Sequence, residues 1–217
     1  MRLRYKRWAR PYIEAQKNVY IDSKELKGEV FANIIARDNV YLEIGGGRGD
    51  FIVEMATNNE DFTFVMVEKN LNAAAMAIRK IVDADLKNVY VIIKDFFRIK
   101  EHFPNESIKG IFLNFSDPWP KTRHAKRRLT HENALKEYRR ILIPSGKIAF
   151  KTDNVNFYTY SIGRFREYNW DIDFNSYNYS GKDDFDAQSE YEKNFRYQRI
   201  PICRLIASKG ENVYDTE

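Results

Sequence analysis

The residues most capable of chemistry share one stretch, SDPWPKTRHAKRR at 116–128. A single carboxylate, Asp117, stands in a turn carrying Pro118 and Pro120, and six of the eight residues at 121–128 are Lys, Arg or His. Proline fixes φ, so such a turn holds its acid in one place. A fixed carboxylate stabilises positive charge that develops beside it, and clustered cations suit a polyanion. A plain strand-exit turn is the alternative, but a solvated charged loop needs neither the two prolines nor Trp119.

A second chemical set is LEIGGGRGDF, which places Gly45, Gly47 and Gly49 directly after an apolar run and at the opening of a helical one. Glycines let the backbone turn sharply and let a ligand approach without meeting a Cβ. Glu68 lies 25 residues after Glu43 and ends the second apolar run, where an acid can accept both ribose hydroxyls of an adenosine. A dinucleotide site wants a small residue where Asp50 stands, and there is no phosphate-binding Lys of the G-K-[ST] kind. S-adenosylmethionine has no phosphate and carries a sulfonium, so acids at Glu43, Glu68, Asp95 and Asp117 suit it better than a pyrophosphate. A glycine-rich turn with no ligand is the bland alternative.

The elements that must position these residues follow from periodicity. Short apolar runs at 40–45, 62–68, 88–95, 110–117 and 146–153 alternate with helical patterns at 23–38, 50–58, 71–82, 131–142 and 155–168. Continuous apolar strands alternating with helices predict a doubly wound α/β fold with a mostly parallel sheet covered on both faces. Two further β-like segments, 170–179 and 197–208, bring the sheet to seven strands. Four of the first five runs end in an acid, Glu68, Asp95, Asp117 and Asp153, and the first carries Glu43. Ligands of open parallel sheets bind outside the carboxyl ends of the strands, so all five acids point to one edge. The polar stretch 180–194 lacks Val, Ile and Leu, and predicts a mobile substrate loop over 175–193.

The totals bound the answer. A chain of 217 residues, 43% hydrophobic, suits one folded domain over 1–217. No apolar run approaches the roughly 18 residues of a membrane helix, and the basic start at 1–20 lacks the apolar core of a signal peptide. A lone cysteine, Cys203, excludes an intrachain disulfide and a Cys-based metal site and points to the cytoplasm. His124 and His131 have no partner at ligand spacing, so no metal is expected. The net charge of +5 is uneven, with five Lys or Arg at 2–10 and five more at 121–128.

The glycine loop, the Glu68 spacing, FSDPWPKTRHAKRR and the late SEYEKNFR together resemble the bacterial tRNA (guanine-N7-)-methyltransferases, from about Tyr5 to Ala207. The run around Asp117 is highly specific, whereas many methyltransferases share the glycine loop. The resemblance implies a Rossmann-like methyltransferase fold with a reversed last strand, acting as a monomer or homodimer. It implies that Glu43, Glu68, Asp95 and Asp117 line an S-adenosylmethionine pocket, and that Asp117 also acts at the target base. Lys121, Asp153, Ser189, Glu190, Tyr191 and Glu192 would hold the guanine, and Arg123, His124, Ala125, Lys126, Arg127 and Arg128 would contact tRNA. The usual target is the guanosine at nucleotide 46 of the variable loop. Thr122 and Ser189 stand where the family often has Lys and Thr, and both keep a hydrogen-bonding group.

Guanine N7 bears a lone pair and no proton, so its methylation needs alignment rather than a base. Asp117 would stabilise the charge that moves onto the purine. The N1–H and N2–H₂ donors of guanine call for carboxylates, with Asp153 and Glu192 as candidates, although Asp153 could instead cap the helix after it. The base must be splayed out, with Trp119 or a Tyr to stack on it. Arg127 and Arg128, with Arg4 and Arg7, are the expected phosphate contacts. The competing classes are a methyltransferase of another RNA, a protein or a small molecule, an RNA-binding module with a vestigial cofactor site, and a nicotinamide oxidoreductase that Asp50 argues against.

Overall fold

The computed structural model describes residues 6–181, 183 and 185–210. The parallel core of the sheet is built from β2 (Val40–Ile44), β3 (Thr63–Val67), β4 (Val89–Ile92), β5 (Ile108–Asn114) and β6 (Leu142–Thr152). β2 and β3 are buried along their whole length, as strands covered on both faces must be. The edge strand β7 (Trp170–Ser176) and the reversed β8 (Cys203–Lys209) complete one side, with β8 antiparallel to both β6 and β7. The order across the sheet is β1-β4-β3-β2-β5-β6-β8-β7.

That order contains eight strands, which corrects the expected seven. The extra one, β1 (Tyr20–Ile21), is two residues long and pairs in parallel with Val91 and Ile92 at the far edge. Two residues carry no readable period, and the strand exists because Val91 N–H finds the Val19 carbonyl at 2.8 Å. The preceding basic segment is likewise no free arm over its described part. It forms α1 (Ala9–Ala15), whose Ala9 and Ile13 are buried against α4 (Leu71–Asp83), leaving Arg7 and Arg10 exposed. Arg4 lies outside the described residues.

Helices cover both faces. On one lie α1, α3 (Asp50–Asn58) and α4, with Phe51, Ile52, Ala74 and Ile78 packed against Tyr41, Phe64 and Met66 of the sheet. On the other lie α2 (Glu29–Ile35), α5 (Glu132–Ile141) and α6 (Val155–Glu167), with Phe31, Leu135 and Tyr158 against Leu42, Val65 and Ile148. The first predicted helix, 23–38, is broken by extended Gly28 into a 3₁₀ turn and α2. His131 caps α5, its ring nitrogen accepting from Asn133 N–H.

The largest departure is at 180–197. Its last part is a helix, α7 (Glu190–Tyr197), started by Ser189, whose hydroxyl accepts from Glu192 N–H at 3.1 Å. Ala187 and Glu192 are buried. The expected mobile loop is thus packed over its described residues, and the strand expected at 197–208 begins only at Cys203. An apolar core is not what holds this segment, so a search for Val, Ile and Leu could not find it.

Candidate active site

The strand order reverses between β2 and β5, which are hydrogen-bonded neighbours although the chain runs from β2 to β3. A crevice opens at the carboxyl ends at such a point. The five acids of the sequence reading all stand along this edge, in the spatial order Asp95, Glu68, Glu43, Asp117 and Asp153.

The glycine loop leaves β2 here. Gly45, Gly47 and Gly49 have φ of 83°, 58° and 80°, in the left-handed region that side chains avoid. A Cβ at Gly49 would lie 2.6 Å from the Ala77 Cβ, so this glycine lets the start of α3 close on α4. A Cβ at Gly45 or Gly47 would meet nothing within 4 Å, which leaves open space along that side of the loop. Glu68 fastens the loop: its two oxygens accept from Gly47 N–H at 3.0 Å and Asn70 N–H at 2.7 Å. Each carboxylate oxygen has a second acceptor position, so Glu68 can hold the loop and still accept hydroxyls. Asp95 caps a 3₁₀ turn through Phe97 N–H at 2.9 Å.

Glu43 is buried within the sheet. Its Oε1 accepts from Asn114 Nδ2 at 3.1 Å, while Oε2 has no partner. Burial pushes its carboxyl up to about 7, against weaker downward pulls from the Asn114 bond and Lys151. An orphaned buried acceptor next to a glycine loop, with acids on either side and open space along the loop, fits a cationic, hydroxyl-bearing ligand better than a phosphate. The residues present therefore fit S-adenosylmethionine, with Glu43, Glu68, Asp95 and the loop backbone to hold it.

After β5 the chain turns through two left-handed residues, Phe115 at φ 51° and Trp119 at φ 41°. Asp117 lies between them, exposed, with Lys69 Nζ at 3.8 Å from its Oδ2. Such backbone persists only where its surroundings hold it, and here the holder is Arg128. Its Nε donates to the Pro118 carbonyl at 2.9 Å and an Nη to the Trp119 carbonyl at 3.0 Å, while its guanidinium lies 4.1 Å from the Tyr160 ring centre. Arg128 was expected on tRNA phosphate; it instead clamps the turn that carries Asp117. Arg127 lies 4.8 Å from the Trp119 ring centre. Lys121, Arg123, Lys126 and Arg127 are exposed, with His124 and Ala125 half-buried among them.

The 189–192 segment meets this site from the far end of the chain. Glu190 pairs with Arg48 of the glycine loop at 2.6 Å, and Phe195 packs 5.6 Å from Phe115. Tyr191 is exposed and stacks toward Phe195. Glu192 does not face the crevice as a free acceptor. It is fully buried, with Oε2 on Lys151 Nζ at 2.6 Å and Oε1 on Arg196 at 2.6 and 2.9 Å. The expectation that it reads guanine is corrected accordingly. Asp153 is half-buried, and the cap of α6 is its neighbour Asn154, so Asp153 has no capping duty.

Sequence reasoning missed Asn114, Lys151, Arg48 and the acid Asp186. The first two carried a signal, since a polar residue inside an apolar strand must find a buried partner. Arg48 and Asp186 gave none. A depression at the opposite edge of the sheet, lined by Glu106, Arg140 and Lys209 among others, is bound up in loop structure. Arg140 donates to the Phe103 and Lys100 carbonyls and Lys209 to that of Leu142. Among the described residues no cluster of His, Cys, Asp and Glu could hold a metal, and no helix is long and apolar enough to cross a membrane.

The fold is shared with solved methyltransferases. The 16S rRNA methyltransferase KamB superposes with a TM-score of 0.63 at 12% identity, over 85% of this chain and 94% of that one. A Precorrin-6y C5,15-methyltransferase from Geobacter metallireducens does so at 0.56 and 15%, over 92% and 98%. A family model described as "Putative methyltransferase" matches residues 37–205. Fold and site together define a Rossmann-like methyltransferase, a class that implies S-adenosylmethionine as methyl donor. The tRNA (guanine-N(7)-)-methyltransferase of Limosilactobacillus reuteri (strain DSM 20016) is 35% identical over 96% of this chain and 99% of its own length. That of Listeria monocytogenes serotype 4b (strain F2365) is 38% identical over 98% and 100%. The chain belongs to the tRNA (guanine-N(7)-)-methyltransferase family.

Proposed function

We propose that this protein transfers a methyl group from S-adenosylmethionine to N7 of a guanosine in tRNA, at nucleotide 46 of the variable loop, in the cytoplasm. The observation that carries the reading is Asp117. It is a lone acid clamped on a strained turn at the switch point of the sheet, beside the glycine loop, with exposed cations at Lys69, Lys121, Arg123 and Arg127 around it. When bound, S-adenosylmethionine supplies an electrophilic methyl on a sulfonium. N7 has no proton to lose, so the task of the chain is alignment and charge stabilisation. Asp117 is held where a carboxylate would face a purine gaining positive charge. Asp153 accepts from the guanine N1–H and N2–H₂ edge, with Lys121, Ser189 and Glu190 alongside. Tyr191, exposed beside Glu190, is the better stacking ring, because Trp119 already faces Arg127. The cations hold the phosphates around the splayed base and set its position rather than its identity.

The test is to incubate the protein with labelled S-adenosylmethionine and mixed tRNA, then treat with borohydride and aniline, which cleave RNA at 7-methylguanosine. A single cut in the variable loop is expected. Label without a cut would move the reaction to another atom, a cut elsewhere would change the nucleotide, and no label would overturn the activity.

A further inference from the structure

Four neighbouring strands, β2, β5, β6 and β8, carry a polar row across an otherwise apolar sheet. Asn114 of β5 bonds Glu43 of β2, Lys151 of β6 is paired in register with Asn114, and Arg204 of β8 is paired in register with Lys151. Paired residues of adjacent strands face the same side, so the row runs from the donor crevice into the ground beneath 179–196. Lys151 is 1% exposed, and its Nζ is fully engaged. It donates to Asp186 at 2.9 and 3.2 Å, to the Ala187 carbonyl at 2.7 Å and to Glu192 at 2.6 Å. Arg204, 2% exposed, reaches Asp186 at 3.1 Å and Asp183 at 2.7 Å, and stacks 4.4 Å from Tyr179. Arg196 closes the set by joining Glu192 to the Tyr179 carbonyl.

Hydrophobic replacement of a buried ion pair is often as stable as the pair itself. A row this polar is therefore poorly explained as a source of stability, and its position gives another explanation. Every acid that Lys151 binds belongs to one segment, which has almost no apolar anchor of its own and which carries Ser189, Glu190 and Tyr191 to the crevice. We propose that Lys151 is a positioning residue: it fixes 186–192 over the methyl-donor crevice and so sets where the substrate-facing residues stand. Lys151 touches neither donor nor base. It acts through Asp186 and Glu192, and its neighbour Phe51, 5.2 Å away, opens α3 just after the glycine loop. The inference rests on the proposed reading that 189–191 meets the guanosine.

Lys151→Met keeps the length and removes the charge, and Asp186→Asn removes one partner with nearly the same shape. For Lys151→Met, the KM for tRNA should rise about 10- to 100-fold, the range seen when groups supporting a site from behind are removed. S-adenosylmethionine affinity without tRNA should stay within about twofold of wild type. Amide exchange should quicken at 186–197 but not in β5 or the parallel part of the sheet. Asp186→Asn should raise the tRNA KM in the same direction by less, and it carries the test alone if Lys151→Met does not fold. An unchanged tRNA KM in a folded variant, or loss of donor and tRNA affinity together with quickened exchange throughout, would overturn the role. Wild-type protein that makes no 7-methylguanosine would instead sink the functional reading beneath it.

Discussion

Asp117 and Glu43 are both carboxylates at the carboxyl edge of the sheet, and their surroundings give them opposite tasks. Asp117 is exposed and rigid, so its charge is available to whatever binds beside it. Asn has nearly the same shape without the charge, so Asp117→Asn should fold normally and bind tRNA as wild type does. At saturating S-adenosylmethionine its single-turnover methylation rate should fall by about 10²–10³, as when one oriented electrostatic partner is removed elsewhere. Full recovery at saturating donor would reduce Asp117 to a binding residue. Glu43 is buried with one oxygen unpartnered, and burial raises its carboxyl from 4.5 to about 7. Below about pH 4.5 it is protonated both folded and unfolded and makes no difference to stability. As the pH rises toward 7 the unfolded chain loses the proton and the folded chain keeps it, so stability falls, and above 7 the whole cost is present. Glu43→Gln should therefore melt like wild type near pH 4.5 and several degrees higher at pH 8, a difference on the order of 3 kcal/mol. Melting curves of the ligand-free protein across that range check it; a difference independent of pH would mean that Glu43 does not titrate in this window.

At the scale of elements, two short pieces of chain decide the site. The glycine loop needs its glycines for different reasons, and substitution separates them. Gly49→Ala puts a Cβ into Ala77 at 2.6 Å as well as straining a left-handed φ, so α3 must move off α4. Overpacking costs roughly 1–3 kcal/mol on top of about 1–2 kcal/mol for the conformation. Gly47→Ala meets open space and should cost only the second part, so its melting temperature should fall less than that of Gly49→Ala in a side-by-side scan. The Asp117 turn separates two adjacent arginines in the same way. Arg127 is exposed, and replacing it with Ala should flatten the plot of log tRNA affinity against log salt by about 0.7. Arg128 donates inward to Pro118 and Trp119, so Arg128→Ala should leave that slope unchanged and lower the methylation rate. Equal slope changes for the two would return Arg128 to the phosphate-binding set.

For the whole molecule, the fold gathers at one face cations that the chain scatters from Lys69 to Arg127. Four or five phosphate contacts there predict a log–log salt slope of about −3 for tRNA, and near-zero dependence for S-adenosylmethionine. Affinity measured between low and moderate salt checks both, and a flat tRNA line would mean that the cationic face is only a solvated surface. The amino-acid order by itself determined the parallel core, the glycine loop, the acids at the strand ends and the cation cluster, because each is local: apolar runs, glycine placement and spacing are properties of neighbours in the chain. The boundaries of α3 and the start of α4 were legible for the same reason. The tertiary structure alone decided that Glu192 is a buried counter-ion, that Arg128 holds a turn, and that 186–197 is packed. Each depends on a partner far away in sequence, Lys151 for Glu192 and Tyr160 for Arg128. A charged side chain reads the same on paper whether it faces water or a buried opposite charge. Only the fold, by removing water from Lys151 and supplying Asp186 and Glu192 in its place, chooses between the two.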